Sequence, residues 1–356
     1  MPSRTERKKI THASVIVPAY NAEGHIRACL DALRAQSVAP AEIIVVDDGS
    51  TDATAKLVRE NYPQVKLVTQ PNQGPARARN HGARIAKSEI IVFIDSDCVA
   101  EKDWLQEMMS PFSDEQVVGV QGAYKTRQKS LVAQFDQMDI EYRYARMYES
   151  QAAKKLDWIA TYSAAYRKKL FLACNGFDET FPRASGEDAE LSYRLSARGH
   201  VLRFNPRAVV YHTHPATLGK YLHVKFFRAY WRMRMYRKYP EKMVQDSYTP
   251  QSLKVGIVIG SISGLFVLAL VYFFAMTLTA KTPLAIGIDF LLLISGVMVG
   301  LFLGGMSTIV VSQGLLQRIA RAGIGMKLFS PYIVCLRAIA FGLGMLFGIL
   351  DSRVRA

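Results

Sequence analysis

The stretch Ile90-Ile91-Val92-Phe93-Ile94-Asp95-Ser96-Asp97 decides the fold. Its five apolar residues read as a buried parallel strand, because strands covered on both faces are apolar throughout rather than alternating. The run ends in two carboxylates one residue apart. Ligands of open α/β sheets bind outside the C-terminal ends of the strands, where these carboxylates fall. Paired negative charge there calls for a cation. Hard oxygen donors suit Mg2+ or Mn2+, and such metals usually reach a protein through one or two carboxylates plus substrate phosphates. The ligand implied is a metal-bound diphosphate, and the competing reading is a solvated Asp-Ser-Asp turn.

Upstream, Ala13-Ser14-Val15-Ile16-Val17-Pro18, Glu42-Ile43-Ile44-Val45-Val46 and Val65-Lys66-Leu67-Val68 read as three further strands. Helical patterns lie between them, through Ile26, Leu30 and Leu33, from Ala55 to Asn61, and from Ala76 to Ala86. Strands alternating with helices predict an α/β domain with a Rossmann-like, mostly parallel sheet. Polar loops follow strands one, two and four: Pro18-Ala19-Tyr20-Asn21, Asp47-Asp48-Gly49-Ser50 and Asp95-Ser96-Asp97. Three loops on one sheet edge make a crevice. A nucleotide there would meet carboxylates for base or ribose hydroxyls, a ring for stacking and a metal for its diphosphate. Asp47 and Asp52 also suit capping of the next helix, a role open to Asp48 as well. Tyr20 is equally suited to packing. Arg77 and Arg79, after the Gly74 turn, could reach phosphate, but a solvated helix face is the expectation for both.

The chain has 356 residues and a formal net charge of +15. Residues before about 250 are mixed and charged, whereas those after it are mostly apolar. Runs at 255–280, 283–311 and 328–350 each meet the roughly 18–20 residues of a membrane span, interrupted only by Asp289 in the second and Arg337 in the third. No apolar h-region follows the basic N-terminus, so no signal peptide is expected. Basic residues from Arg318 to Lys327 after the second run, against Lys281 alone after the first, orient the N-terminal domain to the cytoplasm. Three spans would leave Arg353 and Arg355 outside, so the third run is alternatively re-entrant or interfacial. The domain scheme is therefore a basic tail at 1–11, the α/β domain at 12–216, a basic amphipathic interfacial helix at 217–250 and an α-helical transmembrane region at 251–356. In the interfacial helix Leu222, Phe226, Tyr230 and Met233 form an apolar stripe beside Lys225, Arg228 and Arg232. Such a helix suits an anionic membrane leaflet, and anionic lipid rather than nucleic acid is the partner its charge implies. Cys29, Cys98, Cys174 and Cys335 show no Cys-X-X-Cys spacing, so neither a disulfide framework nor a zinc site is expected.

Pro18-Ala19-Tyr20-Asn21, Asp47-Asp48-Gly49-Ser50-Thr51-Asp52, Asp95-Ser96-Asp97 and Gly186-Glu187-Asp188 occur in that order. Together they resemble family 2 glycosyltransferases of the GT-A fold, over roughly residues 12 to 240. The resemblance implies that Asp48 contacts the nucleotide base, that Pro18 and Tyr20 line the nucleotide pocket, and that Asp95 touches ribose or metal-bound phosphate. It implies that Asp97 ligates the divalent metal, Mg2+ or Mn2+, with His212 as third ligand and His214 the alternative. It makes Asp188 the catalytic base, with Glu187 supporting it.

Transfer of a sugar to a hydroxyl needs that proton removed, which a carboxylate within hydrogen-bond reach can do. A single base opposite the leaving group implies in-line displacement with inversion. A phosphate acceptor is already ionised, so a base favours a hydroxyl. The expectation is a membrane enzyme using a UDP- or GDP-sugar and a lipid-linked or glycan acceptor at the cytoplasmic face of the cell membrane. A polyprenyl-phosphate sugar synthase is the alternative, followed by a nucleotidyltransferase and an inactive membrane scaffold. Trp158 to Arg167 lacks the glycines that shape the family's donor-sugar site, so the sugar does not carry over. Lys225-Phe226-Phe227-Arg228-Ala229 lacks the Gln and Trp of the processive motif, which argues against a polymerase.

Overall fold

The computed structural model describes residues 12–152, 156–181, 186–259, 262, 269, 272 and 283–351. The expected tail at 1–11 and most of the expected span at 255–280 lie outside the described residues. The chain divides into two units. The first runs to Arg127 and resumes from Ala145 to Thr213, and the second comprises Gln128–Tyr144 and the chain from His214 onward. Gln128–Tyr144, inside the expected 12–216 domain, thus belongs to the second unit.

The first unit is built on an eight-stranded sheet in the order β3-β2-β1-β4-β7-β6-β8-β5. Its strands are β1 (Ala13–Ala19), β2 (Glu42–Asp47), β3 (Lys66–Thr69), β4 (Ile90–Ile94), β5 (Cys98–Ala100), β6 (Val117–Lys125), β7 (Ser163–Arg167) and β8 (Val201–His212). Strands β3, β2, β1 and β4 are mutually parallel, and β4 is buried along its whole length, as its unbroken apolar run requires. Strand β1 sits between β2 and β4, so the strand order reverses there and the loops after all three share one edge. Beyond β4 the sheet changes character: β7 pairs antiparallel with both β4 and β6, and β5 pairs antiparallel with β8. The sheet is therefore mixed on its far side.

Helices α1 (Ile26–Arg34), α2 (Thr54–Asn61) and α3 (Pro75–Ile85) link the parallel strands. In α1 the spacing of Ile26, Cys29, Leu30 and Leu33 puts one stripe into the core, each fully buried aliphatic side chain contributing about 1.5–3 kcal/mol. Helix α3 lies directly on β1, and a Cβ on Gly82 would stand 2.4 Å from Ile16 Cγ2. Further along are α4 (Trp104–Met109), α5 (Leu131–Ala152), α6 (Lys168–Ala173) and α7 (Glu187–Ala197).

The second unit takes the start of α5 and adds α8 (Leu218–Lys238), α9 (Pro240–Val244), α10 (Pro283–Val311), α11 (Gln313–Ala320) and α12 (Ile324–Leu350). Helix α8 packs closely along α12, where Cβ atoms on Gly344 and Gly348 would stand 2.3 Å from Phe226 O and 2.5 Å from Tyr230 O. Phe226 meets Phe347 with ring centroids 5.9 Å apart. Lys225 departs from expectation: it is buried and its Nζ donates to Asp136 Oδ1 at 2.6 Å, so it faces the interior of the unit rather than a leaflet. Burial lowers this ammonium to about 8 in spite of Asp136. Arg337 is likewise buried and ion-paired with Asp139 at 2.6 Å. Among the described residues α12 is long and apolar enough to cross a membrane, and Leu293–Ile309 with Gly314–Ala320, bent by 114°, form a second span if taken as one.

Candidate active site

The predicted site residues Pro18, Tyr20, Asp48, Asp95, Asp97, Glu187, Asp188 and His212 all belong to the first unit. Pro18, expected in the loop, lies near the end of β1 and pairs with Val46, and Tyr20 opens the loop after β1 and is 51 % exposed. This loop is tied to the one after β2. Asn21, at φ +49°, donates its N–H to Ser50 Oγ at 2.9 Å and accepts from Thr51 N at 2.8 Å. Asp52 accepts from Glu23 N and from Thr54 N, the first residue of α2, so it holds both the loop and the helix start. Two consecutive crevice walls are thereby fixed together.

Asp47 and Asp48 are both buried, with different partners. Asp47 accepts from Ser50 Oγ within its own turn. Asp48 Oδ1 accepts from Gln70 Nε2 at 2.7 Å and Gln73 N at 3.0 Å, and its Oδ2 accepts from Gly74 N at 2.8 Å. The expected base contact is thus also the clamp that holds the β3–α3 loop. An ionised carboxylate has about four lone-pair sites, and these three donors leave one on Oδ2 for a ligand.

Arg79 corrects the sequence reading most sharply. Expected on a solvated face, it is 2 % exposed and joins two of the predicted site residues. Its Nη2 donates to Asp95 Oδ1 at 2.8 Å and its Nη1 to Glu187 Oε1 at 2.9 Å. Burial opposes its charge, but Asp95, Glu187 and Asp188 more than offset this and hold the guanidinium above its usual range. One cation, 108 residues before Glu187, therefore links the acidic loop after β4 to the start of α7. A signal was present in α3: Ala76, Arg79, Gly82 and Ala83 share a helix face whose other members are small enough for close packing on a sheet. Arg77 stays on the surface and pairs with Glu179 at 3.1 Å.

Helix α7 begins after Gly186, whose φ of +147° is costly for any other residue. Glu187 is 1 % exposed and spends its oxygens on Arg79 and on Gly186 N. Asp188 is half-buried and accepts from Ala189 N at 2.8 Å. Of the two carboxylates, Asp188 is the more exposed.

Asp97 lies between β4 and β5, and the β5–β8 register sets Cys98 opposite His212. His212 Nε2 stands 3.2 Å from Asp97 Oδ2. Burial pushes the Asp97 carboxyl up, and the His212 contact outweighs it to hold the group below the usual range. Tyr124 stacks on the His212 ring at 4.6 Å and fixes its plane. The alternative His214 belongs to the second unit, where its Nε2 meets Gln137 Oε1 at 2.9 Å. Cys29 and Cys98, close by, are kept as thiols by burial and by Asp95 and Asp97, so neither offers a thiolate.

A carboxylate facing an imidazole, both partly exposed, is a donor set that fits Mn2+ or Mg2+ with remaining positions left to phosphate and water. Among the described residues no group of three or more His, Cys, Asp or Glu converges as a self-sufficient metal cage.

Residues 14–172 match the family model "Glycosyl transferase family 2". The chain is 30 % identical over 235 residues to the validoxylamine A glucosyltransferase of Streptomyces hygroscopicus subsp. limoneus, covering 56 % of this chain and 50 % of that one. It is 29 % identical over 171 residues to glycosyltransferase GlyA of Streptococcus pneumoniae serotype 4, covering 44 % and 25 %. The chain thus spans half or less of the length of these curated relatives. A mannosyltransferase from Pyrobaculum calidifontis, solved in complex with GDP-Man and Mn2+, superposes with a TM-score of 0.56 at 18 % identity, covering 96 % of this chain and 89 % of that one. With its switch-point crevice and acidic strand-end loop, the stretch 14–172 is similar to family 2 glycosyltransferases, and the first unit has a GT-A-like mixed sheet.

Proposed function

We propose that the protein is an inverting glycosyltransferase that moves a sugar from a UDP- or GDP-sugar to a hydroxyl of a lipid-linked or glycan acceptor. The observation that carries the reading is Arg79, which holds Asp95 on the donor side and Glu187 on the acceptor side with one guanidinium. In this reading Pro18, Tyr20 and Asp48 line the nucleotide pocket, and Asp95 faces ribose or phosphate. Asp97 and His212 hold Mg2+ or Mn2+, whose charge, when bound, offsets that of the departing diphosphate. Asp188 removes the acceptor proton while Glu187, pinned by Arg79, fixes the start of α7 that presents it. The GDP-Man and Mn2+ in the Pyrobaculum enzyme support a nucleotide-sugar donor and a divalent metal.

The reading extends to the membrane. The apolar helix α12 supports an anchored protein, and the basic residues between Arg318 and Lys327 support a catalytic domain on the cytoplasmic face. The test is a donor screen on the purified chain with UDP- and GDP-sugars, in Mn2+ or EDTA, scored for sugar on membrane lipid extract. The reading expects metal-dependent transfer that Asp188→Asn reduces at least a hundredfold, within the range of a lost general base. Absence of metal-dependent turnover with every donor would overturn it.

A further inference from the structure

Helix α3 reaches the crevice at a second point besides Arg79. His81, partly exposed, sets its ring Nδ1 2.8 Å from Gln70 Oε1. Gln70, just past the end of β3, donates from its Nε2 to Asp48 Oδ1 at 2.7 Å. These side chains form a line of hydrogen bonds from α3 to the carboxylate after β2.

The direction of each bond follows from the chemistry at one end. An ionised carboxylate only accepts, so the Gln70 amide turns its NH2 to Asp48 and its oxygen to His81. The opposite turn would set two acceptor oxygens against each other. His81 Nδ1 therefore carries the hydrogen and donates it to Gln70 Oε1.

The backbone here does not depend on this line. Strand β3 pairs with β2, and Gln70 N donates to Asp47 O at 2.9 Å. Gln73 N and Gly74 N hold the following loop to Asp48. The Gln70 side chain adds something else. With Gln73 N it fills both lone pairs of Asp48 Oδ1, so the acceptor site left for a ligand is on Oδ2. Without it the carboxylate has a second open site and is freer to turn.

We propose that His81 is a positioning residue for the nucleotide base: through Gln70 it fixes the Asp48 carboxylate so that one acceptor site on Oδ2 meets an N–H of the base. The inference rests on the reading that Asp48 contacts the base. Because a carboxylate only accepts, that base presents a ring N–H, as uracil and guanine both do. Helix α3 thereby serves both ends of the donor, with Arg79 at Asp95 and His81, through Gln70, at Asp48.

The test is equilibrium titration of UDP and GDP into the purified full chain, in Mn2+ and in EDTA. His81→Leu and Gln70→Leu should each weaken binding of the nucleotide that wild type takes by about threefold or more, the loss expected of one hydrogen bond. His81→Asn, whose amide N–H can stand where Nδ1–H stands, should restore affinity to within about twofold of wild type. The double variant His81→Leu, Gln70→Leu should be no weaker than Gln70→Leu alone, because the two act in series. The ratio of affinities with and without Mn2+ should stay that of wild type, whereas a general distortion of the crevice would lower it too. A smaller loss in both His81→Leu and Gln70→Leu, His81→Asn as weak as His81→Leu, or a metal effect lost in His81→Leu would overturn the proposal. Asp48→Asn separates it from the reading beneath it. Unchanged affinity in Asp48→Asn refutes the base contact itself, and so does wild type that binds neither nucleotide. A loss in Asp48→Asn with none in His81→Leu and Gln70→Leu refutes the positioning alone.

Discussion

Replacing Arg79 with methionine tests the join between the two halves of the crevice. The substitution keeps an unbranched side chain of good helix propensity, so α3 itself should persist. It removes the guanidinium that bridges to Glu187, whose side chain is 2 % exposed. Breaking a fully buried ion pair by removing one partner costs about 3–5 kcal/mol, because the remaining charge stays buried. The Asp95 half of the bridge adds little: its side chain is 30 % exposed, and solvent-screened pairs are worth about 0–1 kcal/mol. For a domain of this size each kcal/mol moves the unfolding midpoint by roughly 2–4 °C, giving a drop on the order of 6–20 °C. Thermal unfolding of the purified chain, followed by tryptophan fluorescence, measures it. The double variant Arg79→Met, Glu187→Gln removes the remaining buried carboxylate charge and should recover at least half of the loss, a coupling that only direct partners show. A midpoint for Arg79→Met within about 1 °C of wild type, or a double variant less stable than the single, would refute the reasoning.

Other outcomes follow from the packing and the buried charges. Gly82→Val should cost about 1–3 kcal/mol, because the new side chain meets Ile16 on the strand under α3, and denaturant unfolding will read it. Burial raises the carboxyls of Asp136 and Asp139, but Lys225 with His214, and Arg143 with Arg337, outweigh it and hold both below the usual range. Carboxylates depressed in the folded state add stability that is full above their ordinary value and is lost as the pH falls through the lowered ones. The second unit should therefore lose stability below about pH 4. Asp136→Asn should shrink the acid-dependent part of that loss in an unfolding series from about pH 6 to 2.

The half of the fold built from parallel strands is legible in the sequence because β1, β2 and β4 carry apolar runs, unbroken in β4, that end in polar loops. The loops carry the motifs, and the strand order puts those loops on one edge. The far side of the sheet is not legible. Ser163-Ala164-Ala165-Tyr166 has neither the bulk nor the alternation that marks a strand, and nothing local says that β7 runs antiparallel between β4 and β6. Charge alone places Arg79 and Lys225 on the surface. Each is buried by a carboxylate far along the chain, Glu187 and Asp136, and pairing at such separation leaves no periodic trace. His212 and His214 lie two residues apart and look equivalent until the β5–β8 register brings the first to Asp97.

The central claim is that Asp97 and His212 anchor a metal-bound nucleoside diphosphate. Equilibrium titration of UDP and GDP into the purified chain tests it most directly, with Mn2+ or with EDTA, for wild type and Asp97→Ala. The account predicts that wild type binds one of the two at least tenfold more tightly with Mn2+ than with EDTA, about 1.4 kcal/mol, and that Asp97→Ala abolishes the difference. Affinity for that nucleotide that is the same with metal and chelator, or a metal effect that survives Asp97→Ala, would contradict it.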